Sequence, residues 1–309
     1  MEISIVIPIL NEEKNIAPLF NKIKEVLSNR KYEIIFIDDG STDNSFKELE
    51  KVYKTNKNIK IIKFRKNFSK SPALLAGFNE AKGKIIITLD GDLQNNPEDI
   101  PRFIEKINQG YDLVNGWRIK RKDNRNKIVP SKIYNKLNRK ILNIKLHDLN
   151  CGMKAIKKEI LDDIGLYGEM HRFIPLFALN KGYKITEIKI KHHPRIHGKS
   201  KYNYTRLFKG ASDLIYLNFW LKYKEKPSYF FTKLAIIQYL IAFILFIEQF
   251  IKLLTSIKDY IAGPLIFLAV LFSITGTLFL TTGFLAEIQL TKVSDRKPYS
   301  IEKILKKDE

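Results

Sequence analysis

Ile85-Ile86-Ile87-Thr88-Leu89-Asp90-Gly91-Asp92-Leu93-Gln94 runs from a short apolar stretch straight into two carboxylates set two residues apart. Residues 97–108 behind it have helical spacing. The same alternation recurs on either side. Isoleucine-rich runs at 3–7, 34–37 and 60–62 are followed by helical patterns at 12–27, 43–54 and 71–81, and a fifth run covers Tyr111–Val114. Short buried strands alternating with helices predict an α/β fold with a mostly parallel, doubly wound sheet. In such sheets ligands bind beyond the carboxyl ends of the strands, so the residues leaving each strand are the ones to inspect.

Pro8-Ile9-Leu10-Asn11-Glu12-Glu13 follows the first strand, Asp38-Asp39-Gly40-Ser41-Thr42-Asp43 the second, and Asp90-Gly91-Asp92-Leu93-Gln94 the fourth. Asn11 and Asp43 are equally well read as helix caps or turn residues. The pairs Asp38/Asp39 and Asp90/Asp92 resist that reading, because neighbouring carboxylates repel and need a cation or donors. Alternate residues leaving a strand can bring carboxylate oxygens to one hard cation, and Gln94 could add a carbonyl. Mg²⁺ or Mn²⁺ prefers such ligands and also takes substrate phosphate oxygens. Gly91 allows close approach. The sequence has no zinc-spaced Cys/His cluster, no G-x-x-x-x-G-K-[ST] loop and no G-x-G-x-x-G, so a bound nucleotide would depend on metal and carboxylates.

The chain has 309 residues, 54 Lys+Arg against 33 Asp+Glu, and a formal charge of +21. Such a charge predicts an anionic partner: nucleic acid, a membrane surface or a phosphorylated ligand. Residues 261–286 carry no charge and are long enough to cross a bilayer. Residues 234–254 are about as long but contain Glu248 and Lys252, spaced i,i+4 to pair on one helix face. The two segments read as a membrane hairpin; two buried core helices are the alternative. Lys222, Lys224, Lys226 and Lys233 precede it, Lys292, Arg296 and Lys297 follow it, and the connector holds only Lys258. The positive-inside rule then puts both termini in the cytoplasm, in a multi-pass protein of the cytoplasmic membrane. The N-terminal MEISIVIPIL reads as a strand rather than a signal peptide. The expected organisation is a cytoplasmic domain over 1–204, an interfacial amphipathic helix within 205–231, spans at about 232–254 and 261–286 within 232–287, and a cytoplasmic tail over 288–309.

Taken in order, Ile7-Pro8…Asn11-Glu12-Glu13, Asp38-Asp39-Gly40-Ser41-Thr42-Asp43, Asp90-Gly91-Asp92-Leu93-Gln94…Pro97-Glu98, His171-Arg172-Phe173-Ile174-Pro175 and Pro194-Arg195…Gly198-Lys199-Ser200-Lys201-Tyr202 resemble the family 2 glycosyltransferases of GT-A fold. The nearest branch is the polyprenyl-phosphate group, similar to dolichol-phosphate mannose synthases and bactoprenol-phosphate glucosyltransferases. The resemblance implies a nucleotide-sugar donor of UDP-glucose or GDP-mannose type, a polyprenyl phosphate acceptor, a lipid bilayer around the hairpin, and possible dimers or tetramers. On matching positions it implies that Pro8, Leu10, Glu12, Asp38 and Asp39 hold the nucleoside, and that Asp90, Gly91 and Asp92 face the diphosphate. Asp90, Asp92 and Gln94 would bind Mg²⁺ or Mn²⁺, while Arg195 and Lys201 would grip phosphate. Arg118, Arg121, Lys127, Ser131, Arg139 and Arg172 would hold the acceptor phosphate, with Asp92 and Arg118 as the catalytic pair. Gly91 stands where many relatives carry Ala, and Leu10 where some carry an aromatic residue.

Seven of the eleven Arg fall between 118 and 206, and Arg suits bidentate phosphate contact. Many lysines of the basic stretch Arg118–Lys145 read equally as a solvated helix face. His171, His192, His193 and His197 fit no zinc spacing and read as structural or supporting residues. Cys151, the single cysteine, excludes an internal disulfide and reads as a packed small residue rather than a nucleophile. A processive polysaccharide synthase would carry an Arg-Trp pair, whereas Trp117-Arg118 has the reverse order. A non-catalytic scaffold would have no need of Asp90, Asp92 and Gln94. No nucleic-acid partner is expected, because no recognised nucleic-acid motif occurs.

Overall fold

In the computed structural model β1 (Ile3–Ile9) pairs in parallel with β2 (Tyr32–Asp38) on one side and β4 (Ile85–Thr88) on the other. The structure describes residues 1–119, 146–164, 170–194, 216, 218–224, 226–255 and 264–293. The chain divides into two units, one within Met1–Gly210 and one within Ala211–Tyr299.

The first unit is built on a seven-stranded sheet of order β3-β2-β1-β4-β6-β5-β7, with β3 at Ile59–Lys63, β5 at Leu113–Arg118, β6 at Lys154–Lys157 and β7 at Ile185–Ile190. Only β6 runs against its neighbours β4 and β5; β5 and β7 are parallel. Ile3, Ile5, Ile7, Ile9, Ile34 and Phe36 are all fully buried. This is why the strands read as unbroken apolar runs rather than alternating ones: both faces of a parallel sheet are covered.

The covering helices are α1 (Ile16–Val26), α2 (Ser45–Thr55), α3 (Lys70–Glu80), α4 (Ile100–Asn108), α5 (Lys158–Asp163) and α6 (Ile174–Asn180). α1 buries Ile16, Leu19, Phe20 and Ile23, and α4 buries Ile100, Phe103, Ile104 and Ile107, each a stripe at helical spacing. The helix expected over 12–27 begins only at Ile16. Asn11 takes φ +53°, and the Glu12 and Glu13 N–H groups donate to Ser45 Oγ (2.8 Å) and Asp43 Oδ2 (3.3 Å), so this stretch is held by tertiary bonds. The expected strand at Tyr111–Val114 starts later, at Leu113. Asp112 instead accepts from the Lys184 N–H at 2.8 Å and pairs with Lys157 at 2.7 Å.

The second unit contains α7 (Ser228–Thr255) and α8 (Pro264–Val293). At 1.5 Å per residue, the 28 residues of α7 reach about 42 Å, and both helices are long and apolar enough to cross a membrane. They pack on each other: Tyr239 and Thr277 share a hydrogen bond of 2.9 Å, and Gly276 leaves room for the Tyr239 ring. Their outer faces carry Phe243 (60% exposed), Phe267 (72%) and Leu285 (61%), which the unit itself leaves uncovered. Glu248 and Lys252 form the expected i,i+4 pair at 2.6 Å. At the start of α7, Phe230 and Phe231 form an aromatic cluster with Phe219 and Tyr223 from the segment before it, with Lys224 over Trp220 and Lys226 over Tyr229.

Phe103 is fully buried between α4 and the sheet. Phe103→Ala is expected to cost about 3–5 kcal/mol through lost burial and the cavity left behind, measured by denaturant unfolding of the detergent-solubilised protein.

Candidate active site

The first two exit loops are laced together. Asn11 N–H donates to Ser41 Oγ at 3.0 Å, and Thr42 N–H returns a bond to Asn11 Oδ1 at 2.8 Å. Asp43 accepts from Ser45 N–H (2.9 Å) and Glu13 N–H (3.3 Å); burial raises its carboxyl, but these bonds outweigh it and hold the pKa below the ordinary value. Asn11 and Asp43 are therefore structural, as their turn chemistry allowed. Glu12 accepts from Asn15 Nδ2 at 2.6 Å. Asp38 is fully buried, with Oδ1 accepting from Ser41 N–H at 3.0 Å and Oδ2 without a hydrogen-bond partner among the described residues. Asp39, 4% exposed, accepts from Phe68 N–H at 2.7 Å. Pro8 and Leu10 are half-buried at the end of β1.

Asp90 leaves β4 on the same edge and meets Lys70, the first residue of α3. Burial raises the Asp90 carboxyl, but Lys70, then Arg118 and Lys154, outweigh it and hold the group below the usual carboxylate range. Lys70 follows the third strand, whose exit carries no acidic motif to mark it in the sequence. Its position is enforced by Ser69, whose φ of +78° and ψ of 170° lie in a region that is nearly glycine-only. The next residue, Ser71, is buried and shares a 2.7 Å hydrogen bond with His171 Nδ1. Consecutive residues of α3 thus hold the Asp90 loop and the turn that carries Arg172.

Asp92 is 8% exposed, and Gln94 N–H donates to its Oδ1 at 3.2 Å. A β-carbon on Gly91 would lie 2.5 Å from Ile9 Cδ1, so the glycine serves close packing of this loop on β1. Gln94 is bound to the chain beyond β7: its Nε2 donates to the His193 carbonyl at 3.3 Å, and His193 N–H donates to the Gln94 carbonyl at 2.9 Å. Asn95 forms a bridge with His192, which is 6% exposed. Among the described residues no three His, Cys, Asp or Glu side chains are grouped to hold a metal ion. Asp90 and Asp92 nonetheless fit a hard cation that takes one or two carboxylates and completes its shell with water and substrate phosphate.

Arg118 ends β5. Its Nε and Nη2 donate to the two Asp148 carboxylate oxygens at 2.7 and 2.9 Å in a buried bidentate pair. Burial disfavours the guanidinium, but Asp148 more than restores it and raises its pKa. Two of the five N–H donors of Arg118 are thereby committed to protein rather than to substrate. Asp148 carried no sequence signal beyond being one acid at the end of a basic stretch. Behind it Cys151 is buried, and burial pushes its thiol up, in keeping with a packed rather than nucleophilic role. Lys154 is 4% exposed and donates to the Leu149 carbonyl at 3.4 Å and to the Cys151 carbonyl. Arg121, Lys127, Ser131, Arg139, Arg195, Lys201 and His197 lie outside the described residues.

Asp148→Asn strands a buried guanidinium and is expected to cost about 3–5 kcal/mol of unfolding free energy, whereas Arg118→Met with Asp148→Leu costs clearly less. Denaturant unfolding of the single and double variants measures both. Burial also pushes the Lys154 ammonium down to about 8 from 10.5. Between those values the unfolded chain binds more protons than the folded one, so stability rises with pH. Wild-type protein in metal-free buffer should therefore gain thermal stability relative to Lys154→Met between about pH 7.5 and 9.5, read by melting across that range.

Residues 4–165 match the profile described as Glycosyl transferase family 2. A dodecaprenyl-phosphate galacturonate synthase of Rhizobium johnstonii is 35% identical over 93% of this chain and 87% of its own. An undecaprenyl-phosphate 4-deoxy-4-formamido-L-arabinose transferase of Pseudomonas fluorescens is 33% identical over 98% of this chain and 90% of its own. Among solved structures, Mycobacterium tuberculosis glucosyl-3-phosphoglycerate synthase bound to phosphoglyceric acid aligns with TM-score 0.56 and 19% identity, over 71% of this chain and 79% of that one. Its complex with Mn²⁺, UDP and phosphoglyceric acid aligns with TM-score 0.53 and 20% identity, over 69% of this chain and 76% of that one. The antiparallel β6 and the acidic exit loops fall within the matched residues, and the chain belongs to glycosyl transferase family 2, with a GT-A fold.

Proposed function

We propose that the protein transfers a sugar from a nucleotide-sugar to a polyprenyl phosphate at the cytoplasmic face of a membrane. The observation that carries this reading is the Asp90–Lys70 contact beside Asp92, a partly compensated carboxylate site at the carboxyl edge of a family 2 fold. Two uncovered apolar helices in the same chain support a lipid-borne acceptor, and the relatives are named for dodecaprenyl and undecaprenyl phosphate. Basic residues flanking the hairpin support cytoplasmic termini. The working organisation is a catalytic domain over 1–204, an interfacial segment over 205–231, the hairpin over 232–287 and a tail over 288–309.

The acceptor needs no general base. Its phosphate is largely dianionic at neutral pH, with a second pKa of about 6, and an oxygen lone pair attacks the anomeric carbon directly. The new C–O bond forms on one face as the bond to the nucleotide diphosphate breaks on the other, so the anomeric configuration inverts. Asp90 and Asp92 would hold Mg²⁺ or Mn²⁺, which supplies neutralisation of the departing diphosphate when bound; the manganese complex of the structural neighbour supports a divalent ion. Lys70 shares the Asp90 carboxylate and brings a further positive charge to the same edge.

The two relatives are named for galacturonate and for 4-deoxy-4-formamido-L-arabinose, so the donor is not restricted to glucose or mannose. A donor screen decides it. Membranes carrying the protein are given polyprenyl phosphate and labelled UDP-glucose, GDP-mannose, or nucleotide-activated galacturonate or formamido-arabinose, and label is followed into the organic phase. One donor should give lipid-linked sugar, and Asp92→Asn should reduce the rate by at least about a hundredfold, as loss of a charge-positioning group does. Absence of product with every donor, or undiminished product from Asp92→Asn, would sink the proposal.

A further inference from the structure

We propose that Asp148–Lys154 is the positioning element of the transferase site, setting Asp90 and Arg118 relative to one another, with Lys154 as the buried residue that locks it. The inference rests on the transferase reading only in assigning Asp90 to metal and donor.

Topology puts this segment where it must be. β6 is the one strand that runs against the others, and Lys154, its first residue, is in register with Thr88 on one side and Asn115 on the other. The residues before Lys154 therefore arrive at the carboxyl edge of the sheet, between the loop that carries Asp90 and the strand end that carries Arg118. A parallel strand in this place would deliver its entry loop to the opposite edge.

Each side of the segment makes a specific contact. Asp148 holds the Arg118 fork at 2.7 and 2.9 Å, and Asn115 Nδ2 donates to the Asp148 carbonyl at 2.8 Å. On the other side Thr88 Oγ1 donates to the Gly152 carbonyl at 2.6 Å, and Gly152 lies directly against the Asp90 carboxylate. A β-carbon at residue 152 would fall on Cγ and both oxygens of Asp90, so only glycine leaves that rotamer open. Asp90 is thus held from below by Gly152 and from the side by Lys70.

Lys154 is what keeps this piece folded inward. Its ammonium is buried, close enough to the Asp90 and Asp148 carboxylates to feel their charge, but its hydrogen bonds go elsewhere. It is satisfied by the carbonyls of Leu149 and Cys151, from either side of Asn150. Removing it would leave two buried carbonyls without a donor. Turning those carbonyls toward one point fixes the path of the chain from Asp148 to Gly152. Lys154 acts through Gly152 and is a positioning residue, not a catalytic one.

The test uses full-length protein in nanodiscs and Mn²⁺ as the probe, followed by electron paramagnetic resonance in the absence of donor and again with UDP or GDP. Gly152→Ala and Lys154→Met should each weaken Mn²⁺ binding by at least about tenfold, the usual cost of losing a group that orients a metal ligand. In steady-state assays the donor KM of both variants should rise and then fall back toward wild type as Mn²⁺ is increased. A merely structural loss would lower kcat at every Mn²⁺ concentration instead. If Lys154→Met does not fold, Gly152→Ala, which removes no buried cation, carries the test alone. Variants that bind Mn²⁺ within about twofold of wild type overturn the inference, as does wild-type protein that binds none with UDP or GDP present. Wild-type protein that binds Mn²⁺ but forms no lipid-linked sugar overturns the proposed function and leaves the positioning result standing.

Discussion

Asp38, Asp39, Asp90 and Asp92 leave strands that flank β1 at one edge of the sheet, so two pairs of carboxylates lie only two strand spacings apart, about 10 Å. Charges of one sign at that separation, partly out of water, cannot all stay ionised unless something answers them. Much of the architecture around the edge supplies the answers. Ser41 N–H serves Asp38, Phe68 N–H serves Asp39, Lys70 serves Asp90 and Gln94 N–H serves Asp92. All four partners come from the loops themselves or from the segment after β3. The strained Ser69 backbone then has a physical reason, since it brings Phe68 and Lys70 to two carboxylates at once.

The half of the sheet that carries these loops was legible because parallel strands buried on both faces leave isoleucine runs too short and too β-branched to be anything else. β6 and β7 left no such trace. Lys-Ala-Ile-Lys is four residues with a lysine at each end, and Ile185–Ile190 interleaves its apolar residues with Thr186, Glu187 and Lys189. The lysine at the head of β6 is the opposite of what a buried strand position predicts, because its burial is redeemed by backbone carbonyls that no sequence pattern reveals. The carboxylate motifs at the site could be read from order and spacing. Lys70 and Asp148 could not, since each takes its meaning from a partner far away in sequence.

The overall charge of +21 also divides differently once partners are visible. Arg118, which the family resemblance assigns to phosphate, is tied to Asp148 and brings little net charge of its own. Lys70 and Lys154 sit close to Asp90 and influence its ionisation. The positive charge at the described edge is therefore largely internal compensation. It offsets part of the charge of carboxylates that the fold has gathered, and the four acids still outnumber Lys70 and Lys154, so a divalent ion added there would meet a net negative site.

That balance suits the chemistry proposed for the site. A reaction that needed a proton removed would call for an imidazole or thiol with access to substrate and a pKa near neutrality. Among the described residues Cys151 is enclosed and its thiol is pushed upward, while His171 is bonded to Ser71 and His192 is buried in the bridge to Asn95. The edge provides fixed charge held by short, buried connections. A phosphate dianion that arrives already ionised asks only for orientation and for relief of the charge that builds on the leaving diphosphate. The mechanical demand then falls on whatever keeps Asp90 and Arg118 at constant separation, and the segment between them, Asp148–Lys154, is the one that touches both.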